Sequence, residues 1–167
     1  MGVRRRRDDR GAAAVEFALV VPILLLMVFG MIDYGLFFTN AISVKQGVRE
    51  AARQGVVSNF GSSCATITWS VTPSSDLQNL GCTLKDRTGA IVGTPYYKLK
   101  VPSGWVKGQP LVVCTMVKTS GLTGWVPLPG KGVVSSRVEM AIEKVTTGQT
   151  ETGGETATPA GTDWSWC

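Results

Sequence analysis

The 167-residue sequence contains no histidine. This absence removes the commonest general base and metal ligand available near neutral pH. No acidic pair and no phosphate-binding glycine motif occurs in a convincing context, and Ser103, Asp76 and Asp86 have the surroundings of ordinary loop residues. The sequence therefore argues against an enzyme and predicts neither a metal site nor a cofactor.

Charged residues are also few, at 17% of the chain, and the net charge of +5 is unevenly distributed. Residues 1–11 hold five arginines against Asp8 and Asp9. The remaining basic excess is spread too thinly over the rest of the chain to form a phosphate-binding face. Nucleic acid is therefore not an expected partner, and the basic character belongs to the N-terminus.

What the sequence does have is one long apolar run. From Ala12 to Ile32 the only charged residue is Glu16, and Asp33 follows directly. As a helix, these 21 residues are long enough to cross the hydrocarbon layer, which needs about 20. Because arginines before a span tend to stay in the cytoplasm, we expect a single-pass protein of the cytoplasmic (inner) membrane, with everything after residue 38 exported.

Three interpretations of this N-terminus compete. An ordinary secretory signal has a shorter apolar core and a small-residue cleavage site, for which Thr39-Asn40-Ala41 is a poor candidate. A twin-arginine signal fits badly, because the arginines are followed by Asp8 and Asp9 and not by an apolar pair. An uncleaved signal anchor explains the composition but not the carboxylate at position 16.

Glu16 is the unusual feature of the apolar run. A carboxylate near a helix start meets the positive end of the helix dipole, worth about 0.3–1 kcal/mol, and near the interface it can reach water. Inside a membrane segment, however, a carboxylate is costly and by default has a partner. If the chain is cut after Gly11, Glu16 becomes the fifth residue of the mature protein. The new amino group of Ala12 in a neighbouring subunit then offers a counter-charge.

A basic leader ending in glycine, four small or apolar residues, a glutamate-phenylalanine pair and an apolar helix resemble the class III signal of the Flp/Tad (tight adherence) type IV pilus system. The runs "RGAAAVEFALVVPILLLMVFGMIDYG" and "NAISVKQGVREAARQGV" are similar to TadE-like minor pseudopilins in particular. Major Flp pilins are little more than the helix, so the length of this chain favours a minor, TadE- or TadF-like subunit. The resemblance implies cleavage by a prepilin peptidase between Gly11 and Ala12, and an assembly motif at Glu16 and Phe17.

The resemblance also implies partners: the prepilin peptidase, the major Flp pilin, a second TadF-like minor subunit and the assembly platform. It therefore predicts a minor pseudopilin that acts by contacts between subunits in pilus assembly or adhesion, in the membrane and possibly in a surface pilus. The rival from another class is an uncleaved, single-pass membrane-anchored surface domain that acts as an adhesin or receptor. The pseudopilin needs Gly11 and Glu16, whereas the anchor needs only hydrophobicity.

The helix is expected to continue past the membrane as an amphipathic segment over residues 39–56. Small and apolar residues from Ala41 to Gly55 recur at spacings of three and four, with charged residues between them. This stripe is expected to pack on the protein's own sheet. Gly55 is the predicted stop, since glycine is favoured just past a helix end.

From residue 57 onward the sequence predicts a small antiparallel β-rich exported domain, so the fold class is α+β. The segment "ATITWSV" alternates like a strand, "SSDLQNL" predicts one helical turn starting near Ser74, and "YYKLKV" is typical of a half-buried strand. The best strands are "LVVCTMVKT" and "VVSSRVEMAIEKV", joined by the turn-rich "SGLTGWVPLPGKG". Trp69, Trp105 and Trp125 are the expected apolar anchors of a modest core.

Four cysteines lie on the exported side, where disulfides persist, and their spacing is not that of a zinc site. Three pairings are possible. We favour Cys64 with Cys82, which closes a local loop, and Cys114 with Cys167. The second pairing is supported by the tail, because residues 146–162 have a linker-like composition yet are followed by two tryptophans and a cysteine. We expect this end to dock back onto the domain, the alternative being a frayed terminus.

These expectations divide the chain into five parts. The parts are a basic leader (1–11), a transmembrane helix (12–38), its amphipathic continuation (39–56), the β-rich exported domain (57–145) and the Thr/Gly-rich tail with its Trp/Cys anchor (146–167).

Overall fold

The structure is a computed structural model that describes residues 9–64, 67–89, 93–121, 123–124, 126–145 and 150–167, with side chains from residue 11 onward. Its longest element is helix α1, Asp9–Val56, of 48 residues. At 1.5 Å per residue this helix is about 70 Å long. It continues through Pro22 and past the apolar run without interruption, so the expected long N-terminal helix is confirmed. The leader arginines at 4–7 lie outside the described residues.

The C-terminal half of α1 is built into the domain through one stripe of buried residues. Their spacing of three and four residues places them on one face of the helix. The expectation that this stripe packs on the protein's own domain is confirmed, since α1 contacts a second helix and two strands of the sheet. The stripe comprises Asp33, Phe37, Asn40, Val44, Gly47, Val48, Ala51, Ala52, Gly55 and Val56.

The helix ends differently from the prediction. Asn59 N–H donates to the Gln54 carbonyl at 3.0 Å and Ser58 N–H to the Gly55 carbonyl at 2.8 Å, and Ser58 is the residue with positive φ. This is a Schellman end in which serine occupies the usual glycine position. Gly55 lies one turn earlier, where a Cβ would come within 2.7 Å of Leu111 and 2.8 Å of Leu80. Its role is therefore close packing and not helix termination.

Helix α2, Ser75–Arg87, is longer than the single turn predicted for this region. Leu77, Leu80 and Leu84 are fully buried at helical spacing, so tertiary packing extends the helix. Gly81 lies in the interior of α2, where a larger side chain would not fit, because a Cβ there would lie 2.7 Å from the Trp69 ring. The glycine makes room for the indole, at the usual cost of about 1 kcal/mol in helix propensity.

A four-stranded antiparallel sheet follows, with strands β1 (Thr94–Lys100), β2 (Pro110–Lys118), β3 (Val133–Ala141) and β4 (Gly154–Glu155) in the spatial order β3-β2-β1-β4. The first three confirm the strands predicted from sequence, and the fold class is α+β as expected. The segment between β2 and β3 is turn-rich as predicted in its described part, and it ends in a tight turn, Pro129–Gly132, in which Gly130 and Lys131 have positive φ.

Strand β2 is central and is buried on both faces. Leu111, Val113 and Val117 face α1 and α2 in the main core, whereas Val112, Cys114 and Met116 face the C-terminal segment in a second, smaller core. Its run of apolar residues, interrupted by the buried Thr115, is the pattern of a strand covered on both sides.

The C-terminal segment docks on the domain, as predicted. Trp164 packs in the second core, and its indole N–H donates to the Thr156 carbonyl at 3.1 Å. Within the stretch of linker-like composition, β4 pairs Gly154 with Leu99 and Glu155 with Lys98 of β1. Backbone pairing, which composition does not report, thus turns this stretch into a sheet edge. Residues 146–149 lie outside the described part of the chain.

The strand predicted at "ATITWSV" is wrong for its described residues. Only Val71 makes a bridge, to Glu155, because β4 already occupies the edge of β1. Ile67 and Trp69 instead pack their side chains against the main core, and Trp105 is buried within it. Of the three expected tryptophan anchors, Trp125 lies outside the described residues.

Candidate functional site: the exposed half of helix α1

The N-terminal half of α1, residues 11–32, contains no buried residue. Large apolar side chains point outward around its whole circumference, for example Phe17 at 70%, Leu26 at 66% and Met31 at 68% exposure. In the described part of the chain, α1 is the one helix long and apolar enough to cross a membrane. A helix that is apolar all round is stable in lipid or against other apolar helices, and not in water.

Gly11 lies in the first turn of α1, which begins at Asp9. The first N–H groups of a helix lack intrahelical partners, and glycine weakens a helix by about 1 kcal/mol relative to alanine. Local unwinding that would expose the Gly11–Ala12 peptide bond is therefore inexpensive. A Cβ at Gly11 would meet nothing within 4 Å, so packing within the described chain does not require a glycine here.

Glu16 and Phe17 follow one turn later and both are exposed. Among the residues that the structure describes, no hydrogen bond or ion pair reaches the Glu16 carboxylate. This contrasts with Glu50 in the other half of the same helix, which pairs with Arg53 at 2.9 Å. Hydrogen bonds from Arg53 and then Gln54 lower the pKa of Glu50 to about 2.

Asp33, at the junction between the two halves of α1, is 2% exposed. Thr123 donates a hydrogen bond to its Oδ2 at 2.7 Å, and two turns further along α1 the Asn40 amide donates to Thr119 Oγ1 at 3.2 Å. Neither hydrogen bond was predicted from the sequence. The available signal was spacing, because Asp33 and Asn40 lie on the same helical stripe as the apolar residues Phe37 and Val44.

The four cysteines form two disulfides, Cys64–Cys82 and Cys114–Cys167, the pairings favoured from the sequence. Both lie in the domain and neither touches the exposed half of α1. In the described part of the chain, no group of three or more His, Cys, Asp or Glu residues is arranged to hold a metal ion.

Fold and site together define a protein with one apolar N-terminal helix able to cross a membrane and a disulfide-linked α+β domain built on the distal half of that helix. The model of the TadE-like protein family matches residues 11–53, which includes the exposed half of α1 and most of its packed half. The resemblance to TadE-like proteins is confirmed over this segment, and it supports a protein associated with a Tad pilus. No significant match to the chain occurs among curated proteins or solved structures.

Proposed function

We propose that this protein is a minor pseudopilin of a Flp/Tad-type pilus, processed after Gly11 by a prepilin peptidase. In this proposal residues 1–11 are the leader, the helix over 12–38 crosses the membrane with the N-terminus in the cytoplasm, and residues 39–56 carry the exported domain. The role is structural and not catalytic. The protein acts through contacts with the major Flp pilin, a TadF-like subunit and the assembly platform.

The observation that carries the proposal is the state of residues 11–32. The described core takes α1 residues from the packed half only, which leaves most of the surface of the exposed half open to lipid or to other helices. Along its apolar surface Ala14 and Ala18 form a small-xxx-small pair, which allows close approach of a neighbouring helix. A subunit that moves from membrane to fibre needs an apolar surface of this kind.

Glu16 supplies the polar element of the proposed contact. Its carboxylate has no partner in the described chain, and a charge in an apolar setting is stabilised by an opposite charge close by. Cleavage after Gly11 would create an ammonium group at Ala12 in each subunit. We propose that Glu16 of one subunit pairs with that ammonium group of a neighbour, which fixes the axial register between their helices.

The first experiment is the N-terminal mass of the protein isolated from membranes or surface appendages that contain its own peptidase. A chain that starts at Ala12 supports the proposal. An intact leader under these conditions contradicts it and favours the uncleaved membrane-anchored adhesin or receptor. Gly11→Ala should block processing, whereas Gly35→Ala should not. A Cβ at either glycine meets nothing within 4 Å, so neither change disturbs packing in the described chain. A difference in processing between the two variants therefore reports on recognition by the peptidase.

Glu16→Gln separates processing from assembly. We expect cleavage to proceed but incorporation or partner contact to fall, because the neutral amide cannot neutralise an ammonium group. Glu50→Gln is the matched control, as Glu50 has its partner within the same helix. Normal pilus formation by the Glu16 variant would contradict the counter-charge role.

A further inference from the structure

The connection between β2 and β3 is tied to α1 at the junction between the exposed and packed halves. The side-chain hydrogen bonds between described residues that hold it include Asn40 to Thr119, Thr123 to Asp33, and the Tyr34 hydroxyl to the Pro127 carbonyl at 3.0 Å. The backbone of the connection also lies close to α1, since a Cβ at Gly121 would lie 3.0 Å from the Asp33 carboxylate. We call the described residues of this connection, 119–121, 123–124 and 126–128, the anchored loop.

The described tip of the anchored loop extends beyond Asp33 toward the N-terminus of α1. Together with the helix, Thr123 and Val126 form a groove of about 470 Å³ whose helical wall includes Val21, Leu25 and Phe29. Phe29 lies four residues before Asp33, which corresponds to about 6 Å along the axis. The groove therefore opens onto the segment of α1 that is apolar enough to lie in hydrocarbon.

The charge pattern of the loop fits the same environment. No charged residue occurs from Thr119 to Gly130, whereas lysines stand directly on either side, at 118 and 131, and both are exposed. An uncharged tip between exposed lysines suits the border between acyl chains and headgroups, because lysine stems reach toward phosphates while the tip stays in apolar surroundings. Interfacial elements commonly enter this border by about 5–10 Å.

We propose that the anchored loop inserts into the membrane leaflet on the domain side, and that the groove between loop and helix holds the acyl chain of a lipid. Lipid is the occupant because the groove faces the stretch of α1 that the bilayer surrounds, and its walls are apolar. The three hydrogen bonds set the depth of the loop and so hold the domain at a defined height and tilt. This inference rests on α1 crossing the membrane and not on the proposed pilus role.

The test uses the full chain in vesicles of phosphatidylcholine with a minor share of phosphatidylglycerol. The photoreactive residue p-benzoylphenylalanine replaces Val126 in one variant and Val106 in another. Val106 is the matched control, since it is a valine, 54% exposed, in the β1–β2 connection at the opposite end of the sheet. After irradiation, mass spectrometry of the chain identifies each adduct and its site on the lipid.

We expect acyl-chain adducts at position 126 in several-fold excess over position 106. Adding Thr123→Val, which removes the hydrogen bond to Asp33, should lower the yield at 126. Ser58→Ala should not, although it removes a comparable bond, from the Ser58 hydroxyl to the Lys144 carbonyl at 2.8 Å, at the far end of the domain. The same yield of lipid adducts at position 126 with Thr123→Val as with Ser58→Ala would overturn the role of the Thr123–Asp33 hydrogen bond in holding the loop.

Three results at position 126 would overturn the insertion itself. Headgroup adducts alone would place the loop on the membrane surface. A cross-linked dimer in place of lipid adducts would make a second copy of the chain the occupant of the groove. Yields equal to those at position 106 would mean that the loop does not meet the bilayer. None of these results bears on processing after Gly11, so they leave the proposed function to its own tests.

Discussion

Two carboxylates on helix α1 are in opposite situations. Asp33 is buried and accepts a hydrogen bond from Thr123, while Glu16, about 25 Å away along the helix axis, is exposed and has no partner in the described chain. The boundary between them divides one continuous helix into a packed half, residues 33–56, and an exposed half, residues 11–32. Helical structure and tertiary packing are thus separate: the same helix belongs to the domain core in its packed half and keeps an exposed apolar surface in the other half.

Placing a charge in each half should produce the largest contrast. Val48→Asp buries a carboxylate at a position with 0% exposure, and an unpaired buried charge costs about 3–5 kcal/mol. We expect the domain to fold poorly and to become protease-sensitive. Val20→Asp should leave the domain folded but weaken membrane insertion, since aspartate near a span centre costs about 2.5–3.5 kcal/mol.

Limited proteolysis and carbonate extraction of membranes measure the two effects separately. A Val48→Asp domain as resistant to protease as the wild type would contradict the assignment of the packed half to the core.

Glycines provide a smaller contrast of the same kind. A Cβ at Gly47 would lie 2.7 Å from the backbone carbonyl of Arg87, whereas a Cβ at Gly30 meets nothing within 4 Å. Gly47→Ala should force α1 and α2 apart at a cost near the upper end of about 1–3 kcal/mol. Gly30→Ala should strengthen the helix by up to about 1 kcal/mol. Thermal unfolding of the domain checks the first, and helicity in vesicles the second.

Gly30→Ala could instead impair pilus assembly while the isolated subunit stays stable. The exposed half would then contain a site of close helix contact in the assembled state.

Alkaline pH should produce the smallest difference in stability between the domain, which includes the packed half of α1, and the exposed half. Burial raises the pKa of Tyr97 to about 12, above its ordinary value near 10. The neutral phenol therefore contributes fully to stability below about pH 10, and this contribution is lost as pH rises toward 12. The loss is about 3 kcal/mol at most.

Circular dichroism in vesicles should show the domain weakening over this range while the helix over residues 11–32 persists, since Glu16 is the only ionisable side chain there. Tyr97→Phe should flatten the dependence between pH 10 and 12. An unchanged profile in that variant would mean that other groups, such as the lysines, control the alkaline transition.

Much of the fold was accessible from the sequence because its signals are local and periodic. The apolar run, the stripe of α1 and the three long strands each follow from the spacing of apolar residues. The candidate site was also chosen from the chain alone, through the positions of Gly11 and Glu16 relative to the span. The roles of these two residues in cleavage and assembly stay predictions. The cysteines could be paired because proximity along the chain favoured Cys64 with Cys82, and the anchored character of the C-terminus favoured the other pair.

The predictions that failed concern positions in the fold that more than one segment of the chain could occupy. The sheet edge at β1 goes to Gly154–Glu155 and not to the alternating segment near Trp69. Gly55 and Gly81 have the local character of helix breakers but lie inside helices, because Leu80, Leu111 and Trp69 need the space that a side chain would fill.

The sequence by itself determined that this protein has one apolar helix able to span a membrane, that a glycine and a glutamate stand at its start, and that a disulfide-linked α+β domain follows. The length of an apolar run and the positions of charges along it can be read from the order of residues, without knowledge of tertiary contacts. Only the tertiary structure decided where along α1 packing begins, how Asp33 and Asn40 are satisfied, and that the β2–β3 connection reaches down beside the apolar segment. Those outcomes depend on hydrogen bonds between residues about 80 to 90 positions apart, whose pairing no local pattern specifies.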